Sequence, residues 1–175
     1  EIGFGGVVRG VGVTHTALMT AYLLSKKYRV AVVEQNQPYD NARAGTEHAF
    51  ANIYRMINPD SYVNSNVVPR FRYKGMDFYP YCNYTQFCAR FRDDYDFVIV
   101  DFGDEMADKN FFRMGKRIVV ASGSDWKIHE LKRYVNEVAI KNNLENSINY
   151  LIPFIPSGKL GQIRKICQAG GSVPG

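Results

Sequence analysis

The sequence predicts an α/β domain with a mostly parallel central sheet and helices on both faces. Short apolar segments typical of buried strands alternate along the chain with segments whose apolar residues have helical spacing. A glycine-rich loop joins the first predicted strand to the first predicted helix, and a second apolar strand follows that helix. A helix between two buried strands indicates a right-handed crossover, so these two strands are expected to be parallel.

The first half of the chain divides into elements at glycine, proline and asparagine residues, which mark turns. Apolar runs between the turns predict strands, and apolar residues recurring every three or four positions predict helices. In chain order the predicted elements are a strand at residues 2–8, a helix from Thr14 or His15 to Lys27, a strand at 29–34, a loop at 35–45, a helix at 46–57, a hairpin at 70–79 and a helix from Asn83 or Thr85 to Asp94.

The second half continues the alternation of strands and helices. An aliphatic strand ends in Asp101, and a glycine turn follows it. The remaining predicted elements are that strand at residues 95–101, a helix at 104–114, a strand at 117–121, a loop with a helix N-cap at 122–125, a helix at 126–141, a strand at 147–152, a helix at 157–167 and the start of one more strand at 172–174.

The composition fits one globular domain spanning residues 1–175, with 46% hydrophobic and 22% charged residues. The net charge of +5 could suit nucleic acid or an anionic surface, but the positive residues are scattered over different predicted elements. A basic patch must cluster in space before it binds phosphates. Nucleic-acid binding is therefore the less favoured interpretation.

The cysteines and the chain ends give expectations about location and context. Three cysteines without a CxxC pair predict reduced thiols in a cytoplasmic protein rather than disulfides or a zinc site. No apolar run approaches the roughly 20 residues of a transmembrane helix. The abrupt start at Glu1 and end at Gly175 predict a domain excised from a longer chain.

Several loops follow predicted strands at one edge of the sheet, where ligands bind in such folds. These loops, which are expected to converge on one site, are residues 9–16, 35–45, 101–104 and 122–125. Gly10 and Gly12 allow a tight turn and close approach to a ligand, and the free N–H groups of the following helix favour an anion. The first of these loops is thus the predicted anion site.

This order of elements resembles the MinD/ParA family of P-loop ATPases, whose deviant Walker A motif reads Lys-Gly-Gly-x-Gly-Lys-Thr. The resemblance covers nearly the whole chain, including the glycine-rich loop, the strand at residues 29–34 and a Walker B-like segment at residues 95–101. It implies a site for ATP and Mg²⁺, a protein partner and a possible homodimer. Relatives in this family commonly act as positioning or scaffolding subunits of larger machines.

The first part of the loop keeps some features of that motif. Arg9 stands where the family has the extra lysine that reaches phosphates across a dimer, so the charge is kept. Gly10 matches the first glycine, Val11 replaces the second, and Gly12 occupies the variable position. Val13 replaces the glycine before the essential lysine. A β-branched residue resists positive φ, so Val13 is expected to oppose the loop conformation.

The second part of the loop lacks the charged residue of the motif. Thr14 replaces the essential lysine, and His15 replaces the magnesium-binding hydroxyl residue, with Thr16 adjacent. Phosphoryl transfer depends mostly on positive charge around the phosphates. Losing a central charge of this kind costs about 3–5 kcal/mol of transition-state stabilisation. The resemblance therefore implies a degenerate site with weak or no ATP hydrolysis.

The acidic residues match the family in part. Glu34 and Asn36 stand where the family has the switch acids Asp-x-Asp, and an amide cannot orient attacking water as a carboxylate does. Asp101 ends the Walker B-like strand and Gly103 follows it. Asp101 and Thr16 are the expected Mg²⁺ ligands, provided that a nucleotide binds.

Other interpretations stay open at this point. Gly10-x-Gly12-x-x-His15 with Glu34 imitates the Rossmann NAD(P) fingerprint, although its third glycine is absent. The loop could also belong to an active ATPase in which Arg9 or a protonated His15 replaces the missing charge, or to a docking module that binds no ligand. Trp126 is expected to pack on the sheet edge, with contact to a partner as the alternative.

Overall fold

The computed structural model describes residues 1–35, 49–60, 68–105, 108–144, 147–153, 155 and 158–169. The strands within these residues are β1 (Ile2–Gly6), β2 (Val30–Gln35), β3 (Phe71–Tyr73), β4 (Met76–Cys82), β5 (Phe97–Asp101), β6 (Lys116–Val120) and β7 (Ile148–Leu151). The α-helices are α1 (Val13–Leu24), α2 (Ala49–Ile57), α3 (Tyr84–Phe91), α4 (Lys109–Arg113), α5 (Ile128–Tyr134) and α6 (Leu160–Ala169).

The seven strands of the described residues form a sheet in the order β3-β4-β2-β5-β1-β6-β7. The pairs β2–β4, β2–β5, β1–β6 and β6–β7 are parallel, and the hairpin pair β3–β4 is antiparallel. The predicted α/β class with a mostly parallel sheet is confirmed. In this order β5 separates β2 from β1, whereas a Rossmann sheet pairs its first two strands directly. The strand order therefore contradicts the Rossmann interpretation.

The described residues divide into two compact units. Unit 1 contains those of Glu1–Val13 and Phe102–Gly175, and unit 2 is Thr14–Asp101. In unit 1, β6 lies between β1 and β7. A Cβ added to Gly3 of β1 would lie 2.6 Å from Cγ of Met114, a residue that is itself 1% exposed. Because Gly3 has no side chain, Met114 can pack closely against β1.

Unit 2 has an aromatic core on the β3–β4 hairpin and α3. The hairpin turns at Lys74 and Gly75, both with positive φ, as a two-residue turn with right-handed strand twist requires. Asn83 caps α3 by accepting a hydrogen bond from the Gln86 amide at 3.2 Å, as predicted. We call the ring-bearing residues Tyr79, Tyr84, Phe87, Phe91 and Tyr95 the aromatic cluster. Tyr79, Tyr84, Phe87 and Tyr95 are buried, and Phe91 is half-buried.

Two predicted helices differ from the structure. The helix predicted at residues 104–114 is limited to α4, because the side chain of Asp108 accepts from the Asn110 amide at 2.7 Å and sets a later start. The helix predicted at 126–141 is α5 followed by a π-helical segment, Val135–Ala139.

The start of α5 also differs from the expectation. Its N-cap is Lys127, without a side-chain cap bond, so the predicted cap within residues 122–125 is wrong. The amides of Lys127 and Ile128 both donate to the Ser124 carbonyl at 3.0 Å, which places a turn before the helix. Trp126 is 74% exposed at this turn, and the expectation that it packs on the sheet edge is therefore wrong.

Some predictions fall outside the described residues. They concern Asn36, most of the loop at 35–45, the helix start at Thr46 and the strand start at 172–174. Among the helices that the structure describes, none has both the length and the apolar character to cross a membrane.

Candidate functional site

The loop between β1 and α1 places its backbone reversals on glycine. Gly10 has a φ of 76° and Gly12 a φ of 94°, values that glycine adopts without steric cost. The side chains of Val11 and Val13 are both 8% exposed and hold the loop against unit 1. Val13 has no positive φ and begins α1. The expectation that Val13 opposes the loop conformation is wrong, because Gly12 takes the reversal one residue earlier.

Backbone hydrogen bonds fix the base of this loop within unit 1. The Gly6 amide donates to the Gly103 carbonyl at 2.8 Å, and the Val7 amide donates to the Val120 carbonyl at 3.1 Å. Gly103 itself has a φ of 58°. The structure thus brings the glycine-rich loop and Gly103, two predicted parts of the site, next to each other.

The close packing under the loop makes Gly6 sensitive to substitution. A Cβ at Gly6 would lie 2.5 Å from Cγ2 of Val13 and 2.9 Å from Cγ2 of Val11, so Gly6→Ala must displace the loop. Overpacking of this kind lowers the free energy of unfolding by about 1–3 kcal/mol. Urea denaturation measures the loss. Gly161→Ala in α6 is the control, since nothing lies within 4 Å of its added Cβ, and it should be neutral or stabilising. Equal stability of the Gly6→Ala variant and the unchanged protein would contradict this packing.

A lysine that the sequence did not single out lies against the same loop. Nζ of Lys127 is 3.3 Å from the Gly10 carbonyl oxygen and 3.5 Å from the Arg9 carbonyl oxygen. The side chain of Lys127 is half-buried, whereas that of Arg9 is exposed. The segment after β6 therefore reaches the loop, as predicted, but it does so through a residue beyond the predicted range 122–125.

The carboxylates of the predicted site lie in unit 2. Glu34 and Asp101 are opposite each other in the parallel pair β2–β5, at the carboxyl ends of both strands. Asp101 is 5% exposed and Glu34 is half-buried. Two acids thus share one edge of the sheet.

The remaining predicted residues in unit 2 form the first turn of α1. Thr14 and Thr16 are half-buried, and His15 is exposed. This turn carries no acidic residue, so nothing within it opposes an anion near the positive end of the helix.

The two units offer different kinds of donor groups. In unit 1, Arg9, Lys127 and the glycine-rich backbone are of the type that suits phosphate oxygens, and in unit 2, Asp101 and Thr16 are of the oxygen type that Mg²⁺ prefers. Among the described residues, no group of three or more histidine, cysteine or acidic side chains could hold a metal ion. Mg²⁺ typically binds one or two protein carboxylates together with phosphate oxygens.

The strand order and the glycine-rich loop after β1 give this chain the P-loop fold of ParA/MinD-like ATPases. Among solved structures, a ParA family ATPase from Chlorobium tepidum TLS matches 98% of this chain and 81% of its own, with 16% identity and a TM-score of 0.61. A putative plasmid partition protein from Borrelia burgdorferi B31, bound to AMPPNP, matches 94% of this chain and 78% of its own, with 17% identity and a TM-score of 0.56.

The same fold occurs in a different functional class. The kinase domain of the Escherichia coli tyrosine kinase ETK matches 90% of this chain and 68% of its own, with 13% identity and a TM-score of 0.54. Comparison of the sequence with protein-family models and with curated proteins finds no match. At these identities the likeness establishes the fold.

Proposed function

We propose that this domain binds the phosphates of an adenine nucleotide at residues 9–16, hydrolyses it weakly or not at all, and acts as a regulatory, positioning or assembly scaffold. The observation that carries the proposal is the contrast within one loop. Gly10 and Gly12 keep the backbone reversals of a phosphate loop, while Thr14 occupies the position of the lysine that drives phosphoryl transfer. The loop thus keeps the backbone conformation that suits phosphate binding, but it lacks the lysine ammonium group that phosphoryl transfer needs.

Nucleotide binding is supported by the loop and by a relative. Amide groups at a helix start, with flanking cations, favour phosphate. The Borrelia burgdorferi protein of the same fold is bound to AMPPNP. ATP with Mg²⁺ is therefore the proposed ligand, with Arg9, the backbone from Gly10 to Val13 and the α1 start at Thr14, His15 and Thr16 as its phosphate contacts.

Weak hydrolysis follows from the residues that replace the motif. Thr14 brings no charge, and Asn36 is an amide where the family has a carboxylate. The missing charge alone costs about 3–5 kcal/mol of transition-state stabilisation, a loss of two to four powers of ten in rate. Asp101 would still bind Mg²⁺, assisted by Thr16, and Glu34 would remain at the neighbouring strand end.

A scaffold role fits a domain that binds a nucleotide but hydrolyses it weakly or not at all. Relatives with this fold include a plasmid partition protein and a ParA family ATPase. We propose that nucleotide occupancy controls association with a protein partner. A homodimer is also proposed, in which Arg9 takes the place of the lysine that crosses the dimer in the resembled family.

Hydrolysis by the unchanged protein tests the proposal. The unchanged protein is expected to hydrolyse ATP in the presence of Mg²⁺ no faster than the Asp101→Asn variant does. The lysine charge needed for catalysis is already missing at Thr14, so removing the Asp101 carboxylate should not lower the rate further. Phosphate release, followed under saturating ATP, measures both rates. Asp104→Asn, at an exposed acid shortly after β5, is the matched control for a lost charge. A clear Mg²⁺-dependent excess of the unchanged protein over Asp101→Asn would instead favour an active ATPase with a non-standard loop.

A further inference from the structure

The ammonium group of Lys127 lies over the backbone of the glycine-rich loop. Its distances to the carbonyl oxygens of Gly10 and Arg9 are 3.3 and 3.5 Å, and a Cβ built on Gly10 would lie 3.8 Å from Nζ. These contacts are longer than the usual hydrogen-bond length of about 2.9 Å. The ammonium group is therefore held near the loop by weak contacts, beside which it can also donate to a stronger acceptor.

The backbone that carries Lys127 is fixed within unit 1. The Lys127 amide donates to the Ser124 carbonyl at 3.0 Å, and the hydroxyl groups of Ser122 and Ser124 are 2.8 Å apart. An ion pair joins Asp125 to Lys159. These contacts fix the backbone turn from which the Lys127 side chain extends to the loop.

Acidic residues near Lys127 in the sequence have other partners. Asp125 pairs with Lys159 as described, and Glu130 pairs with Arg133 at 2.5 Å and lies 3.0 Å from Nε2 of His129. The ion pairs of these two acids are thus formed with residues other than Lys127. The loop carbonyl groups, which are neutral acceptors, are the described partners of its ammonium group.

We propose that Lys127 supplies the phosphate-binding ammonium group that the loop lacks at Thr14. An ammonium group has three donors, so it can keep the loop carbonyl contacts and still donate to a phosphate oxygen. The ligand class is a nucleoside di- or triphosphate, because a charge over the loop recognises phosphate rather than base. This inference rests on the proposed nucleotide binding. It names Lys127 as the residue that would bind the phosphates in place of the phosphate-loop lysine of the resembled family.

Calorimetric titration of the full chain with AMPPNP and with adenosine tests the role of Lys127. Lys127→Gln removes the charge, and Lys132→Gln removes the same charge from an exposed position on α5. We expect Lys127→Gln to weaken AMPPNP binding about tenfold to a hundredfold, the loss expected for one charge-assisted hydrogen bond. Adenosine binding should change less than about twofold in the same variant, and Lys132→Gln should bind AMPPNP as the unchanged protein does.

The adjacent Trp126 provides a second readout. It is the single tryptophan of the chain, is 74% exposed and directly precedes Lys127, so we expect AMPPNP binding at Lys127 to change its fluorescence. If Lys127→Gln does not fold, Lys127→Met, which keeps the aliphatic stem, takes its place.

The outcomes separate this inference from the proposed function. Unchanged AMPPNP affinity in a folded Lys127 variant overturns the role of Lys127 and leaves nucleotide binding in place. Equal weakening of AMPPNP and adenosine also overturns it, since that result indicates a structural role. Failure of the unchanged protein to bind AMPPNP overturns the proposed function, and the inference with it.

Discussion

Thr14→Lys is expected to tighten AMPPNP binding about tenfold to a hundredfold. Thr14 is the second residue of α1 and occupies the position of the phosphate-loop lysine in the resembled family. A charge-assisted hydrogen bond to a phosphate oxygen is worth about 1.5–3 kcal/mol. Hydrolysis should remain slow, because Asn36 still replaces a switch carboxylate. Calorimetry gives the change in affinity, and phosphate release gives the rate.

The control for this variant adds the same charge to the same helix. Met19 of α1 is 48% exposed, so Met19→Lys raises the net charge without placing it in the first turn. It should tighten binding less than about twofold. Equal tightening by both variants would mean that net charge, and not the loop position, accounts for the effect. No tightening by a folded Thr14→Lys variant would contradict the assignment of this position.

Phe87→Ala is expected to lower the free energy of unfolding by about 3–5 kcal/mol, the usual cost of removing a buried phenylalanine. Phe87 is fully buried in the aromatic cluster, with its ring centroid 4.8 Å from that of Tyr79 and 6.2 Å from that of Tyr95. The cavity would lie beside a buried hydrogen bond of 2.8 Å between the hydroxyl groups of Tyr79 and Tyr95. Urea denaturation followed by circular dichroism measures the loss.

The polar groups beside this cavity increase the expected loss. Burial, followed by the hydrogen bond with Tyr79, raises the pKa of Tyr95 far above its ordinary value. The Tyr95 hydroxyl group also donates to Asp77 at 3.1 Å and accepts from Arg70 at 2.9 Å. Loosening the ring packing would disturb this network as well.

An exposed apolar residue is the matched control for Phe87. Leu23 of α1 is 67% exposed, and Leu23→Ala should change the free energy of unfolding by less than about 0.5 kcal/mol. A loss below about 1 kcal/mol for Phe87→Ala would show that the aromatic cluster does not form a tightly packed core.

The strands of this fold could be predicted closely because buried strands are short apolar runs bounded by turn residues. The predicted strands at residues 29–34 and 95–101 correspond to β2 at Val30–Gln35 and β5 at Phe97–Asp101. Helix ends were less accurate, since they depend on local caps. Asp108 limits α4, and the turn at Ser124 delays α5.

The candidate site could be predicted in part. The glycine-rich loop and the strand-end acids follow from the order of elements, because parallel strands bring their carboxyl ends to one edge. The conformation of Val13 did not follow, because motif alignment assigns residues to positions without giving their φ angles. The approach of Lys127 to Gly10 joins residues 117 positions apart, and no local pattern encodes such a contact. Proximity of Lys127 to the predicted loop at 122–125 was the signal that could have suggested it.

Calorimetric titration of the full chain with ATP, ADP and NAD, each with Mg²⁺, tests the central claim most directly. The account predicts saturable binding of ATP and ADP, with NAD at least about tenfold weaker. Tighter binding of NAD would contradict the account in favour of a dinucleotide site. Absence of binding by all three would contradict it in favour of a docking module that holds no nucleotide.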